Sequence, residues 1–192
     1  MFSIKRISYF VWFFCCLLTV GCRPSDTASE RYVVVLSMDG FRSDYPERAH
    51  TPTLDSLGQA GVKAAFRPSY PSVTFPNHYS MATGLHPDHH GIISNSFYDA
   101  ALDSVYTMRC DDPRFFGGEP IWNTAERQGI RTAAFYWVGS EIALPSGQPS
   151  TWKKFDSSVP FPARADSVIA WLQRPEAERP HLIMWYFEEP DH

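Results

Sequence analysis

The amino-acid sequence predicts an α/β domain, an open and mostly parallel sheet with helices on both faces. Three observations carry the prediction. Apolar runs rich in β-branched and aromatic residues stand at 32–37, 131–136 and 181–187, each of strand length and without the alternation of a half-exposed strand. Segments with helical spacing lie between them, the βαβ rhythm of a parallel sheet. No internal repeat or long low-complexity tract interrupts the pattern.

The elements follow in order. Lys5 and Arg6 precede an apolar run over 7–20 that ends in Gly21-Cys22, which reads as an export signal over residues 1–22. A retained anchor is the alternative, but the run is shorter than the ~20 apolar residues a spanning helix needs. Residues 18–22 resemble a bacterial lipoprotein box, with Thr19 in place of the usual aliphatic residue. On that reading Cys22 carries lipid and tethers an exported, periplasmic or cell-envelope protein to a membrane. Residues 23–30 form a polar linker, and 31–192 form the domain.

Within the domain, 32–37 reads as a strand buried on both faces. Thr51 and Pro52 supply an N-cap and an N1 proline to a helix closed by Gly61. A weaker strand is expected over 62–66, a helix over about 75–83, and an irregular or hairpin stretch over 91–114. Residues 120–128 form a helix ended by Gly129, and 131–136 a strand. The 163–173 helix places Ala165, Val168, Ile169 and Leu172 on one stripe. A last buried strand spans 181–187.

Composition bounds the function. With 192 residues, 44% hydrophobic, the chain can bury one core. A net charge of -4 gives no basic stripe to follow a phosphate backbone, so nucleic-acid binding by bulk charge is not expected. The chain has 4 cysteines. Cys15 and Cys16 leave with the signal and Cys22 takes lipid, so Cys110 remains, and neither a disulfide framework nor a thiolate zinc site is expected. Any metal must be held by carboxylates and imidazoles.

Open α/β sheets place their sites beyond the carboxyl ends of their strands. Asp39 follows the first strand there and Asp191 the last, and two carboxylates on one edge could share a hard cation. Capping a loop is the plainer role for each. Pro76 suits N1 of a helix, which puts Thr74 just before a helix start, where an anion is favoured. Its hydroxyl is a cap or an attacking group. A free threonine hydroxyl is too weak an acid to attack unaided, so catalysis requires a metal on its oxygen, with Asp39 able to hold it.

Five blocks, at 37–42, 71–98, 118–122, 158–161 and 188–191, together resemble the nucleotide pyrophosphatase/phosphodiesterase family of the alkaline phosphatase superfamily. The resemblance implies a two-zinc enzyme, with other divalent cations as alternatives, that hydrolyses phosphodiester or pyrophosphate bonds through a phosphothreonine. Carried over residue by residue, Asp39 and Thr74 match ligands of one zinc, with Thr74 as nucleophile, and Asp191 matches a ligand of the other. Asn95 matches the amide that donates to a phosphoryl oxygen. Phe75 matches an aromatic that packs on the base, its N–H being a second oxyanion donor. Phe155 stands where relatives stack a tyrosine, and Tyr186 where another pocket tyrosine sits. The implied partner is a small nucleotide or phosphodiester substrate.

The resemblance also implies a gap. The family pattern continues to a histidine four positions beyond the last aspartate, whereas His192 adjoins Asp191 and does not match it. The sheet and the metal set are therefore expected to be incomplete at the carboxyl end, as in a fragment or a truncated, inactive product, with an exposed sheet edge. His86, His89 and His90 match no family ligand and read as loop or structural residues; Met81 and Met108 read as packing, and Trp122 either lines the pocket edge or packs as a buried helical residue. Two other function classes stay open. A sulfatase or phosphomutase relative would need a different nucleophile motif from Thr74-Phe75-Pro76-Asn77-His78. A lipoprotein that binds ligand without turnover would carry no zinc.

Overall fold

In chain order the elements are β1 (Val33–Met38), α1 (Tyr45–Arg48), α2 (Pro52–Ala60), α3 (Thr74–Thr83), α4 (Pro87–His90), β2 (Ser96–Asp99), β3 (Ser104–Thr107), α5 (Ile121–Arg127), β4 (Thr132–Phe135), β5 (Thr151–Lys153), α6 (Phe161–Leu172) and β6 (Leu182–Phe187). They belong to a computed structural model that describes residues 31–191. The export signal, Cys22, the linker and His192 lie outside the described residues. Among the described residues no helix is long and apolar enough to cross a membrane.

The main sheet has the order β1-β6-β4-β5, with every neighbouring pair parallel. Strands β2 and β3 form a separate antiparallel hairpin. The side chains of β6 show how both faces are covered, because alternate residues point opposite ways. Trp185 and Phe187 share one face, where α6 lies: Phe161 meets Phe187 at 5.2 Å, and Phe135, beside Trp185, meets Trp171 at 5.6 Å. Tyr186 points the other way, onto His78 of α3 at 4.9 Å.

Two clusters make the core. The larger joins Ala133, Ala134 and Phe135 of β4 to Ile183 and Met184 of β6, Trp122 of α5 and Trp171 of α6. Burial of each large apolar side chain stabilises by about 1.5–3 kcal/mol. The second packs Tyr79, Tyr106, Phe115, Phe116 and Ile142 beneath the hairpin. Trp122 is buried as expected from its packing reading, but Met108 is exposed.

Several sequence expectations are corrected. Among the described residues strand β1 lies at the sheet edge, pairing with β6, and Val33, Val34 and Leu36 are 53%, 46% and 44% exposed. Residues 62–66 are not a strand: Val62 and Phe66 lie largely exposed, since without a neighbouring strand their backbone groups have no ladder to join. β5 is too short to show in the pattern and forms on the free edge of β4. The buried face of α6 is Arg164, Val168 and Trp171, while Ile169 is exposed. Helix α3 begins at Thr74 itself, with Val73 as N-cap and Pro76 inside the first turn.

Candidate active site

The register of the sheet sets the site. Ser37 lies opposite Tyr186 and Met38 opposite Phe187, so β1 and β6 end level. The next residue, Asp39, still donates its N–H to the Phe187 carbonyl at 2.9 Å. Its carboxylate is thereby held just past the carboxyl edge. One oxygen, Oδ1, accepts the Gly40 N–H at 3.0 Å. The other, Oδ2, accepts two hydroxyls, Thr74 Oγ1–H and Tyr186 Oη–H, each at 2.9 Å.

Thr74 reaches that carboxylate because α3 starts beside the strand ends. The C-cap of α3 is Gly84, at φ +69°, a left-handed conformation that glycine adopts without penalty. Near the other end, Phe75 donates its N–H to Asn95 Oδ1 at 2.9 Å. That N–H is thus engaged with Asn95. The same bond orients the Asn95 amide, leaving its NH2 end as the donor.

Asp191 arrives from the loop after β6. Its N–H bonds the Glu188 carbonyl at 3.2 Å, and the loop lays it over Gly40. A Cβ on residue 40 would fall 2.9 Å from Asp191 Oδ1 and 3.0 Å from its Cα, and Gly40 has φ +63°. Only glycine permits this approach. Glu188 itself is turned aside: Arg164 Nη2 donates to its Oε1 at 2.8 Å in a pair that is 2% and 12% exposed.

The aromatic residues divide. Tyr186 serves Asp39 through its hydroxyl, and burial, together with the Asp39 charge, raises its pKa. Phe155 is half exposed, 5.2 Å from the Tyr136 ring and 6.5 Å from that of Tyr186. It borders a cleft of 490 Å³ lined also by Val159, Phe161 and Arg164. Phe75 instead packs edge-on to Tyr106 at 6.4 Å, on the second core cluster.

Of the histidines, His90 is buried, its Nε2 2.9 Å from Ser80 Oγ and its Nδ1 accepting the Ile92 N–H at 3.2 Å. His89 is exposed beside Asp88. His78, which the sequence reading passed over, lies under the site: Nδ1 is 2.8 Å from the Thr74 carbonyl and Nε2 2.9 Å from Ser37 Oγ. Burial lowers its pKa. The signal was a histidine four residues after a helix-start threonine, the spacing at which a side chain can bond back to the i−4 carbonyl.

Asp39, Thr74 and Asp191 offer hard oxygen donors: Thr74 Oγ1 bonds Asp39 Oδ2, and Asp191 lies over Gly40, the residue after Asp39. That donor set fits part of a divalent-cation site, as the Gly40 contact keeps the two carboxylate segments together. A closed zinc shell has four ligands, and among the described residues no group of three or more His, Cys, Asp or Glu side chains converges.

Fold and site together define an α/β domain that presents a hydroxyl, a carboxylate and a side-chain amide at the carboxyl edge of a parallel sheet. The chain belongs to the type I phosphodiesterase/nucleotide pyrophosphatase family, whose model matches residues 33–192. It is 42% identical over 165 residues to venom phosphodiesterase CdcPDE of Crotalus durissus collilineatus, covering 83% of this chain and 20% of that protein. With ectonucleotide pyrophosphatase/phosphodiesterase family member 1 of Homo sapiens it shares 41% identity over 167 residues, 82% of this chain and 18% of the relative. The chain thus spans about a fifth of the length of the curated relatives it matches. Among solved structures, murine ectonucleotide pyrophosphatase/phosphodiesterase 5 superposes with TM-score 0.78 at 31% identity, covering 84% of this chain and 44% of that one. An inactive form of the same murine protein in complex with AMP superposes equally well, at 30% identity over the same shares.

Proposed function

We propose that this chain carries the nucleophile half of an exported, zinc-dependent phosphodiesterase or nucleotide pyrophosphatase. The observation that carries the reading is the 2.9 Å contact between Thr74 Oγ1 and Asp39 Oδ2. Thr74 attacks the phosphorus of a nucleotide-type phosphodiester or pyrophosphate. The leaving group departs and a threonine phosphoester forms, which water then hydrolyses to release the monophosphate.

Each side chain has a task in that sequence. Asp39 accepts the Thr74 hydroxyl hydrogen bond and so holds the oxygen in one direction. Asn95, held by the Phe75 N–H, aims its NH2 at the phosphoryl oxygen that gains charge, a donor of the kind worth about 3 kcal/mol when fixed in advance. Phe155, beside Tyr186 at the cleft, supplies a flat apolar surface for a base. Asp39, Asp191 and Thr74 Oγ1 are the residues of this chain that would hold zinc. Bound there, zinc would supply Lewis-acid charge that lowers a hydroxyl pKa and offsets phosphoryl charge. Support for a nucleotide comes from the AMP complex of the murine relative, and support for export from the leader pattern and the secreted or cell-surface names of relatives.

The test is hydrolysis of a nitrophenyl ester of a nucleoside monophosphate by the full-length protein containing these residues. Turnover should be lost to a chelator, return with zinc, and vanish in Thr74→Ala. Chelator-resistant turnover, or activity retained by Thr74→Ala, overturns the reading.

A further inference from the structure

We propose that His78 positions Thr74 against Asp39, acting as a brace between α3 and β1 that works in a single tautomer of its ring. The inference rests on the threonine chemistry proposed above. The Thr74 carbonyl, 2.8 Å from His78 Nδ1, can only accept, so Nδ1 carries the hydrogen. In a neutral ring Nε2 is then an acceptor, and Ser37 Oγ–H, 2.9 Å away, donates to it.

The two partners are not arbitrary. Ser37 stands two residues before Asp39 on β1, and Thr74 carries the hydroxyl that meets Asp39. The imidazole therefore ties the strand that holds the carboxylate to the residue that holds the nucleophile. Its own freedom is small. It is 2% exposed, edge-on to Trp137 at 5.6 Å and to Tyr186 at 4.9 Å, and its carbonyl accepts the Trp137 Nε1–H at 3.2 Å. Tyr186 in turn bonds the same Asp39 oxygen as Thr74. His78 thus contacts Ser37 of β1, Tyr186 of β6 and the Thr74 carbonyl of its own helix, and bonds through none of the oxygens of the Thr74–Asp39 contact. A displacement of about 1 Å in such a group lowers rate by roughly 10²-fold.

Two readouts test the brace. In the full-length protein, the nitrogen NMR spectrum of the His78 ring should show a protonated Nδ1 and a bare Nε2; an Nε2–H tautomer overturns the proposal whether or not turnover is seen. In the full-length, zinc-loaded protein, His78→Phe should lower kcat by roughly 10²-fold with KM changed less than about twofold. Ser37→Ala should lower kcat less, and the double variant should lose no more than His78→Phe alone. His78→Asn, which places an N–H donor near the Nδ1 position, should recover part of the loss. Ser37→Ala and His78→Asn decide the matter if His78→Phe fails to fold. Unchanged kcat in Ser37→Ala and His78→Asn, with only the melting temperature lowered, makes His78 a core residue and overturns the brace. A wild-type protein without turnover overturns the proposed function and the brace's catalytic role with it; active wild type with unaffected variants overturns the brace alone.

Discussion

Gly40 lies directly beneath Asp191, so close that a Cβ on residue 40 would stand 2.9 Å from the Asp191 Oδ1 and 3.0 Å from its Cα. The glycine has φ +63°, so Gly40→Ala meets backbone strain and a clash together, about 1–3 kcal/mol from strain alone. The expected outcome is a lower melting temperature and, in the zinc-loaded protein, weaker zinc affinity by calorimetric titration. Unaltered values for both would show that the Asp191 loop moves freely.

Thr74→Val keeps the branched shape at the start of α3 and deletes the hydroxyl. Removal of a nucleophile lowers turnover by at least about a thousandfold, so the nitrophenyl ester assay should fall to background. The circular dichroism spectrum should stay as in wild type, because the helix begins on the Val73 cap and not on a Thr74 side-chain bond.

Buried Arg164 and partly buried Glu188 form an ion pair, with the guanidinium also over the Phe161 ring at 4.5 Å. Arg164→Leu removes this guanidinium from beside the Glu188 carboxylate, and breaking a fully buried pair from one side costs about 3–5 kcal/mol, an upper bound for this partly buried one. Urea denaturation should register that loss. Arg164→Leu combined with Glu188→Leu should recover most of it, since the carboxylate goes too.

His90 sets a pH dependence. Burial holds its pKa below the ordinary 6.5, and its Nδ1 already accepts the Ile92 N–H, so protonation breaks that bond and buries a charge. The unfolded chain therefore binds the proton first, and stability falls as pH drops from about 6.5 through the folded pKa. His90→Gln should reduce the fall of the denaturation midpoint over this acid window, leaving the share of His78, whose pKa burial also lowers, and should leave the slope above it unchanged.

Among the described residues strand β1 has one side unpaired, with Val33, Val34 and Leu36 exposed, a template for pairing with another chain. The isolated chain is expected to self-associate in light scattering. Val34→Lys should reduce this without disturbing Asp39, five residues on.

The primary sequence determined the elements whose burial is dense enough to leave a local mark. The run at 181–187 reads as a strand because Leu182, Ile183 and Met184 are apolar without alternation, and that strand is central in the sheet. Helix α2 was legible from Thr51, Pro52 and Gly61, which act through neighbouring backbone. The 62–66 run was misread, since a strand exists only where another offers hydrogen bonds, and β5 was missed for the converse reason. Placement of Asp39 and Asp191 after strands was likewise readable from order along the chain. Only the tertiary structure decided that Asp39 Oδ2 would be shared by Thr74 and Tyr186, residues 35 and 147 positions away. It also decided that Phe75 would give its N–H to Asn95 and that His78 would lie between Ser37 and Thr74. Local propensity acts over a few residues of chain, whereas a distance between side chains on different elements is set by strand order and helix packing, which emerge only when the sheet assembles.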